Sequence, residues 1–225
     1  MSKSEQMLAA LQEQDLALAD RYFEQALTTD SEEELLDLAD YLESIGFFPQ
    51  AKRIFEKLAP DYPASYISLA AIASDDGDLE QAFAYLEEIQ PDSDWYVAAL
   101  LAKADLYQLE GLPDVAREKL AQAAIRQARE EGFSHIVLFG NPAYYPKYGF
   151  VTASDYGIYL DGQDKEEILD FVMALDLQRD GSVTRENGPW LYRDPEGYEV
   201  DEAELEVFDR KFPPKKKEKL PGQLG

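Results

Sequence analysis

Two hydrophobic rhythms divide the chain. Up to about residue 131, apolar side chains return every three or four positions, the spacing of helices with one buried face. After Gly132 that period stops. "FSHIVLFG", "YGIYL" and "DFVMALDL" are short runs rich in β-branched and aromatic residues, the composition of strands. "DEAELEVFDRKF", from Asp201, returns to a helical pattern before the proline-lysine tail. The change of rhythm places a boundary near residues 123–132, and the helix "PDVAREKLAQAAIRQAREEG" runs through it.

The first half repeats itself. Aligning "ESIGFFPQAKRIFEKL", "SDDGDLEQAFAYLEEI" and "QLEGLPDVAREKLAQA" sets a glycine five residues before an alanine each time, as Gly46/Ala51, Gly77/Ala82 and Gly111/Ala116. Ala19 belongs to an earlier copy in which Gln14 stands where the glycine would be. Ala39, Ala70 and Ala104 form a second small column, and Leu35, Tyr66 and Leu100 a large one. Phe23, Phe55, Leu86 and Leu120 form another large column. Small residues let two helices approach, large ones fill the gap, and the glycine turns the chain between them. The expectation is four helical hairpins over residues 4–131, stacked as a solenoid. Asp30-Ser31 suits a helix start with acids in the first turn, and Pro113 suits the first turn of the last helix. This unit resembles the tetratricopeptide repeat, and the resemblance implies a concave face that binds peptides or partner helices.

The second half carries "NPAYYPKYGF", residues 141–150, with three tyrosines behind an apolar run. The stretch "AAIRQAREEGFSHIVLFGNPAYYPKYGF", with the two strands after it, is similar to the distal half of the GNAT acyltransferase superfamily over residues 124–177. The resemblance implies that Tyr145, four before the glycine of Gly-Phe, donates a proton to the departing coenzyme A thiolate, with Tyr144 and Tyr148 as alternatives. It implies that Asn141 orients the short helix and contacts the coenzyme arm. The family also holds the pyrophosphate on a glycine-containing turn before the preceding helix. This chain has "YQLEGLPDVAREKLAQ" there, part of the last helical repeat with one glycine, and the earlier strands of the family's sheet are absent. A sheet cut short in this way keeps an open edge, which invites pairing with a second copy of the chain or leaves this half poorly ordered.

Charge and chemistry narrow the rest. A formal charge of −25, most of it before Gly132, repels phosphate backbones and excludes nucleic acid as the expected partner. The run "KKKEK" at 215–219 reads as a solvated tail. Without cysteine and with His135 as the one histidine, neither a thiolate site nor a multi-histidine metal site can be built. "SEEELLD" and "DKEEILD" read as acids at helix starts, and "RENGPWLYRDPEGYEV" as a hairpin turning at Asn187-Gly188. The N-terminus lacks the apolar core of a signal peptide and no run reaches membrane-spanning length, so a cytoplasmic location is expected.

The expected fold class is α+β: helical repeats over 1–123, then a partial acyltransferase-like segment over 124–225 with a C-terminal helix and basic tail. The expected function is an acidic module that binds a protein or peptide on its repeat surface, non-catalytic and without a cofactor. The preserved tyrosine stretch carries the other reading, an N-acetyltransferase moving acetyl from acetyl-CoA to an amine, with Tyr145 catalytic and Asn141 on the coenzyme.

Overall fold

The computed structural model describes residues 1–178, 189–193 and 202–212. The fold is mixed, with helices predominating and two small sheets among the described residues. It divides into two compact units, Met1–Arg126 and Gln127–Gly225. No helix among the described residues is long and apolar enough to cross a membrane.

The first unit is a run of helical hairpins: α1 (Lys3–Gln12) with α2 (Leu16–Thr29), α3 (Glu32–Ser44) with α4 (Phe48–Leu58), α5 (Ala64–Asp75) with α6 (Leu79–Glu87), and α7 (Tyr96–Leu109) followed by α8 (Pro113–Glu130). Local chemistry sets their ends. Ser2 and Ser31 form capping boxes with Glu5 and Glu34, and Asp15 and Asp78 cap α2 and α6.

Every hairpin corner is built alike. The amides of Gly46 and Phe47 donate to the carbonyls of Glu43 and Leu42, at 3.0 and 2.8 Å, and the pair recurs at Gly77-Asp78 and Gly111-Leu112. This double bond closes a helix only if its first residue is left-handed, and those glycines have φ of +84°, +82° and +76°. Gln14 makes the same two-bond turn at φ +62°, the one non-glycine residue there among the described residues.

The alanines after these turns, Ala19, Ala51, Ala82 and Ala116, are at most 1% exposed, so helix pairs meet with no room for a larger side chain. Phe23, Phe55 and Leu86 fill the adjoining gap, each at most 1% exposed. Leu120, in the same column, is 39% exposed. It lies on α8, after which no further hairpin of that kind follows among the described residues to cover it. Polar links tie neighbouring hairpins: Arg53 grips Glu24 through two bonds of 2.6 and 3.1 Å, and the Tyr85 hydroxyl donates to Glu56 at 3.3 Å.

The second unit holds β1 (His135–Phe139), β2 (Val151–Thr152), β3 (Ile158–Leu160), β4 (Val172–Asp176), β5 (Trp190–Tyr192) and α9 (Glu202–Asp209). β4 lies between β1 and β2, antiparallel to both, so that Ala174 faces Val137 on one side and Val151 on the other. Ala153, Ile158, Val172 and Ala174 form one buried cluster, and Phe150, Tyr159, Met173, Leu175 and Leu177 are buried as well.

One expectation fails here. "DKEEILD" does not start a helix: the Asp164 carboxylate takes the Glu166 amide at 3.0 Å, and Gln163 bonds the Glu167 carbonyl at 2.7 Å, so the acids lie in a turn. The strand after Pro189 pairs in parallel with β3. The Asn187-Gly188 turn itself lies outside the described residues.

Candidate functional site

On the first helix of each hairpin, Met7, Ala39, Ala70 and Ala104 form the buried column, each at most 3% exposed. The helical period then puts the residue one later, and the residue four later, on one common face beside it. Those positions are Leu8 and Leu11 on α1, Asp40 and Glu43 on α3, Ala71 and Ser74 on α5, and Asp105 and Gln108 on α7.

Two grooves and an acidic centre result. Between α1 and α3 lies a groove of about 510 Å³, lined by Leu8, Leu11, Tyr41 and Ile45. Between α5 and α7 lies another of about 220 Å³, lined by Ile67, Ala71, Asp75, Asp105 and Leu109. Between the two grooves α3 presents the carboxylates Asp40 and Glu43, and Asp75 lies on the lining of the second groove. Partial burial, then the charges of Asp40 and Asp75, pushes Glu43 above the usual carboxylate range. Burial, then Asp37, does the same to Asp40. No ion pair among the described residues involves Asp40, Glu43, Asp75 or Asp105. Like charges from two hairpins are therefore held together with no cation between them, an arrangement that a basic ligand relieves.

None of these acids forms a contiguous motif. The signal in the sequence is their offset from the small column, which separates them from the many acids on other faces.

The tyrosine cluster is a compact turn. The Asn141 side chain accepts the Ala143 amide at 2.9 Å and its carbonyl accepts the Tyr144 amide at 2.9 Å, which starts the 3-10 turn Tyr145–Tyr148. Asn141 and Tyr145 thus share one turn, with the Asn141 side chain exposed and Tyr145 half-buried. The Tyr145 ring lies edge-on to Tyr144 and Phe150, at 5.2 and 5.7 Å between centroids. It also lies so close to Gly140 that a Cβ there would overlap the ring, 2.6 Å from its Cδ2. Its hydroxyl makes no hydrogen bond among the described residues. Tyr144 and Tyr148 share a hydroxyl contact of 3.1 Å, with the Lys147 ammonium 4.3 and 4.8 Å from their ring centroids. Burial, then the bond to Tyr144, pushes the Tyr148 phenol above its ordinary value, and Lys147 opposes the shift.

At the place where the acyltransferase resemblance requires a glycine turn, the amides are already engaged. Gly111 and Leu112 donate to Gln108 and Tyr107, Val115 and Ala116 both donate to Leu112, and Pro113 has no N–H. An anion meets no run of free donors there. His135 bonds Ser134 at 2.8 Å, and no group of three or more His, Asp or Glu among the described residues could hold a metal ion. No family model and no curated protein matches this sequence.

Proposed function

We propose that the chain is a binding module whose helical unit holds a basic, partly apolar segment of another protein on the face that the first helices of its hairpins present. The C-terminal unit, in this reading, is an acyltransferase-like segment that does no chemistry. The observation that carries it is the set Asp40, Glu43 and Asp75, drawn from two hairpins and in no ion pair among the described residues, with an apolar groove on either side. Placing like charges together costs stability wherever nothing answers them, and apolar grooves on either side supply the burial that charge alone lacks.

Selection of a displayed random peptide library on the full chain tests this. Basic peptides enriched on the wild-type chain, and lost on a chain with Asp40→Asn, Glu43→Gln and Asp75→Asn, are the expected result. Equal enrichment on both chains would sink the proposal.

A second reading, transfer of acetyl from acetyl-CoA to an amine, is favoured by one observation. The Tyr145 ring is fixed over Gly140 while its hydroxyl stays unbonded, as a proton donor awaiting a partner would be. Against it stands the engaged turn before α8. Calorimetry with acetyl-CoA separates the two readings, since the first expects no binding at millimolar coenzyme. Acetyl transfer that falls with Tyr145→Phe would establish the second.

A further inference from the structure

The two grooves differ in size, and the acids between them set an order of chemistry across the face. The α1–α3 groove is the larger and is rimmed by Tyr41 and Ile45, each 43% exposed, with Leu16 at 59%. The α5–α7 groove is less than half that volume and is floored by Ala71, with Leu109 at its rim 67% exposed. These are large apolar side chains left in water at both ends of the face, while the positions between them are Asp40 and Glu43 with Asp75 beyond. Resting on the binding reading above, we infer that the partner supplies one extended segment that crosses the helices from groove to groove. It carries a large apolar anchor, then two lysines or arginines, then a small apolar anchor.

Geometry decides against the other occupants. A helix turns only about one residue in three or four toward a surface it lies on, so most of its side chains would miss both the grooves and the carboxylates. The α5–α7 groove offers about 220 Å³, room for one or two side chains. A second copy of this chain would bring another −25 of charge onto an acidic centre. A basic extended strand meets both limits: it enters each groove with one side chain and covers the carboxylates with the residues between. The grooves lie two helix spacings apart, about 16–20 Å at an interaxial distance of 8–10 Å. An extended chain covers that in about five or six residues.

The probe is a fluorescent peptide, Phe-Ser-Lys-Gly-Lys-Ser-Val, beside one of the same composition with the anchors adjacent, Ser-Lys-Phe-Val-Lys-Gly-Ser. Fluorescence polarisation on the full chain should show the spaced peptide binding about tenfold tighter, since only it can reach both grooves. Ala71→Trp, which fills the small groove from an exposed helical position, should remove that advantage and leave the melting temperature unchanged. Glu43→Gln with Asp75→Asn should weaken both peptides about tenfold through the lost charge-assisted contacts.

Equal binding of the two peptides, both sensitive to the acid substitutions, would overturn the crossing segment and leave the binding reading standing. A spaced peptide indifferent to Ala71→Trp would overturn it as well, and so would failure of either peptide to bind. The library selection then reports separately whether the face binds anything.

Discussion

The two units hold themselves together by different means. In the helical unit the same contact recurs: a fully buried alanine after each corner, and a large residue beside it at Phe23, Phe55 and Leu86. In the sheet-bearing unit no such packing contact recurs among the described residues. Ala174 faces Val137 and Val151 at once, in a buried cluster it shares with Ala153, Ile158 and Val172. A stack of like hairpins distributes its stability over neighbours, so damage to one copy stays near it. A core with one centre has no second copy to fall back on. The difference shows where substitutions of similar kind should cost most and how far their effects should spread.

The largest effect is expected at Phe55. Phe55→Ala removes a side chain that is 1% exposed and leaves a cavity, at a cost of about 3–5 kcal/mol. Hydrogen exchange should show protection lost chiefly in α3 to α6, the hairpins that adjoin it. Loss spread evenly from α1 to α8 would show that the stack melts as one block, and the contrast between recurring and single contacts would fall.

Glycine substitutions sharpen the comparison, because the two units need glycine for different reasons. At Gly46 nothing lies within 4 Å of an added Cβ, and the obstacle to Gly46→Ala is the φ of +84° alone. At Gly140 the obstacle is the Tyr145 ring, itself held between Tyr144 and Phe150. Gly140→Ala should cost about 1–3 kcal/mol, as overpacking does. It should also shift the aromatic proton resonances of Tyr145, Tyr144 and Phe150 together. Unmoved resonances would mean that the added Cβ does not meet the ring, and the close approach at Gly140 would not be what the glycine is needed for.

Polar closure differs too. Asn141 and Asp164 each bond an amide two residues ahead, within one turn. Asp30 reaches back across a whole hairpin, accepting the Ser4 amide at 2.6 Å, the Ser4 hydroxyl at 2.7 Å and the Lys3 amide at 3.1 Å. Partial burial raises its pKa, but the bonds from Ser4 and Lys3 prevail and hold the carboxyl below its usual range. A depressed folded pKa contributes stability that is fully present above the unfolded value, about 3.9. That contribution fades as pH falls through the folded value. Asp30→Asn should therefore cost about 1–2 kcal/mol near neutrality, the range of a lost helix cap. The gap between variant and wild type in a denaturant titration should narrow as pH drops below 4. A gap constant with pH would show that charge plays no part in the clamp.

Where the sequence was legible, one residue carried the physics alone. The glycine column marks the corners because few other residues tolerate a positive φ, and the alanine column marks the helix contacts because nothing larger fits. Leu120 shows the limit: its place in the column depends on its own hairpin, but its burial depends on a neighbour that the column does not encode. "DKEEILD" has the composition of a helix start, yet side-chain bonds from Gln163 and Asp164 close a turn instead. The parallel pairing of β5 with β3 joins residues about thirty apart, as Ile158 with Trp190, and no local pattern announces it. The acidic cluster on the first helices of the hairpins was hidden for a related reason. Asp40, Glu43 and Asp75 are three acids among many, and only their offset from the buried column, taken over two copies, puts them together.

The smallest predicted effect is the one that runs upward. Gln14 occupies the glycine position of the first corner and takes φ +62° to make the same two bonds, from its own amide to Leu11 and from that of Asp15 to Ala10. A residue with a Cβ is strained in that region by about 1–2 kcal/mol, and glycine is not. Glycine gives part of this back, since its unfolded chain is freer. The net for Gln14→Gly should be stabilisation by about 1 kcal/mol, visible as a raised melting temperature in the full chain. The reverse change at the equivalent place, Gly46→Gln, should cost about as much, because nothing near Gly46 obstructs a side chain and only the backbone differs. Equal and opposite shifts would show that the four corners are one device in four copies. If Gln14→Gly lowered stability, the glutamine side chain would be contributing to the α1–α3 groove that it lines, and the first hairpin would have to be set apart from the rest.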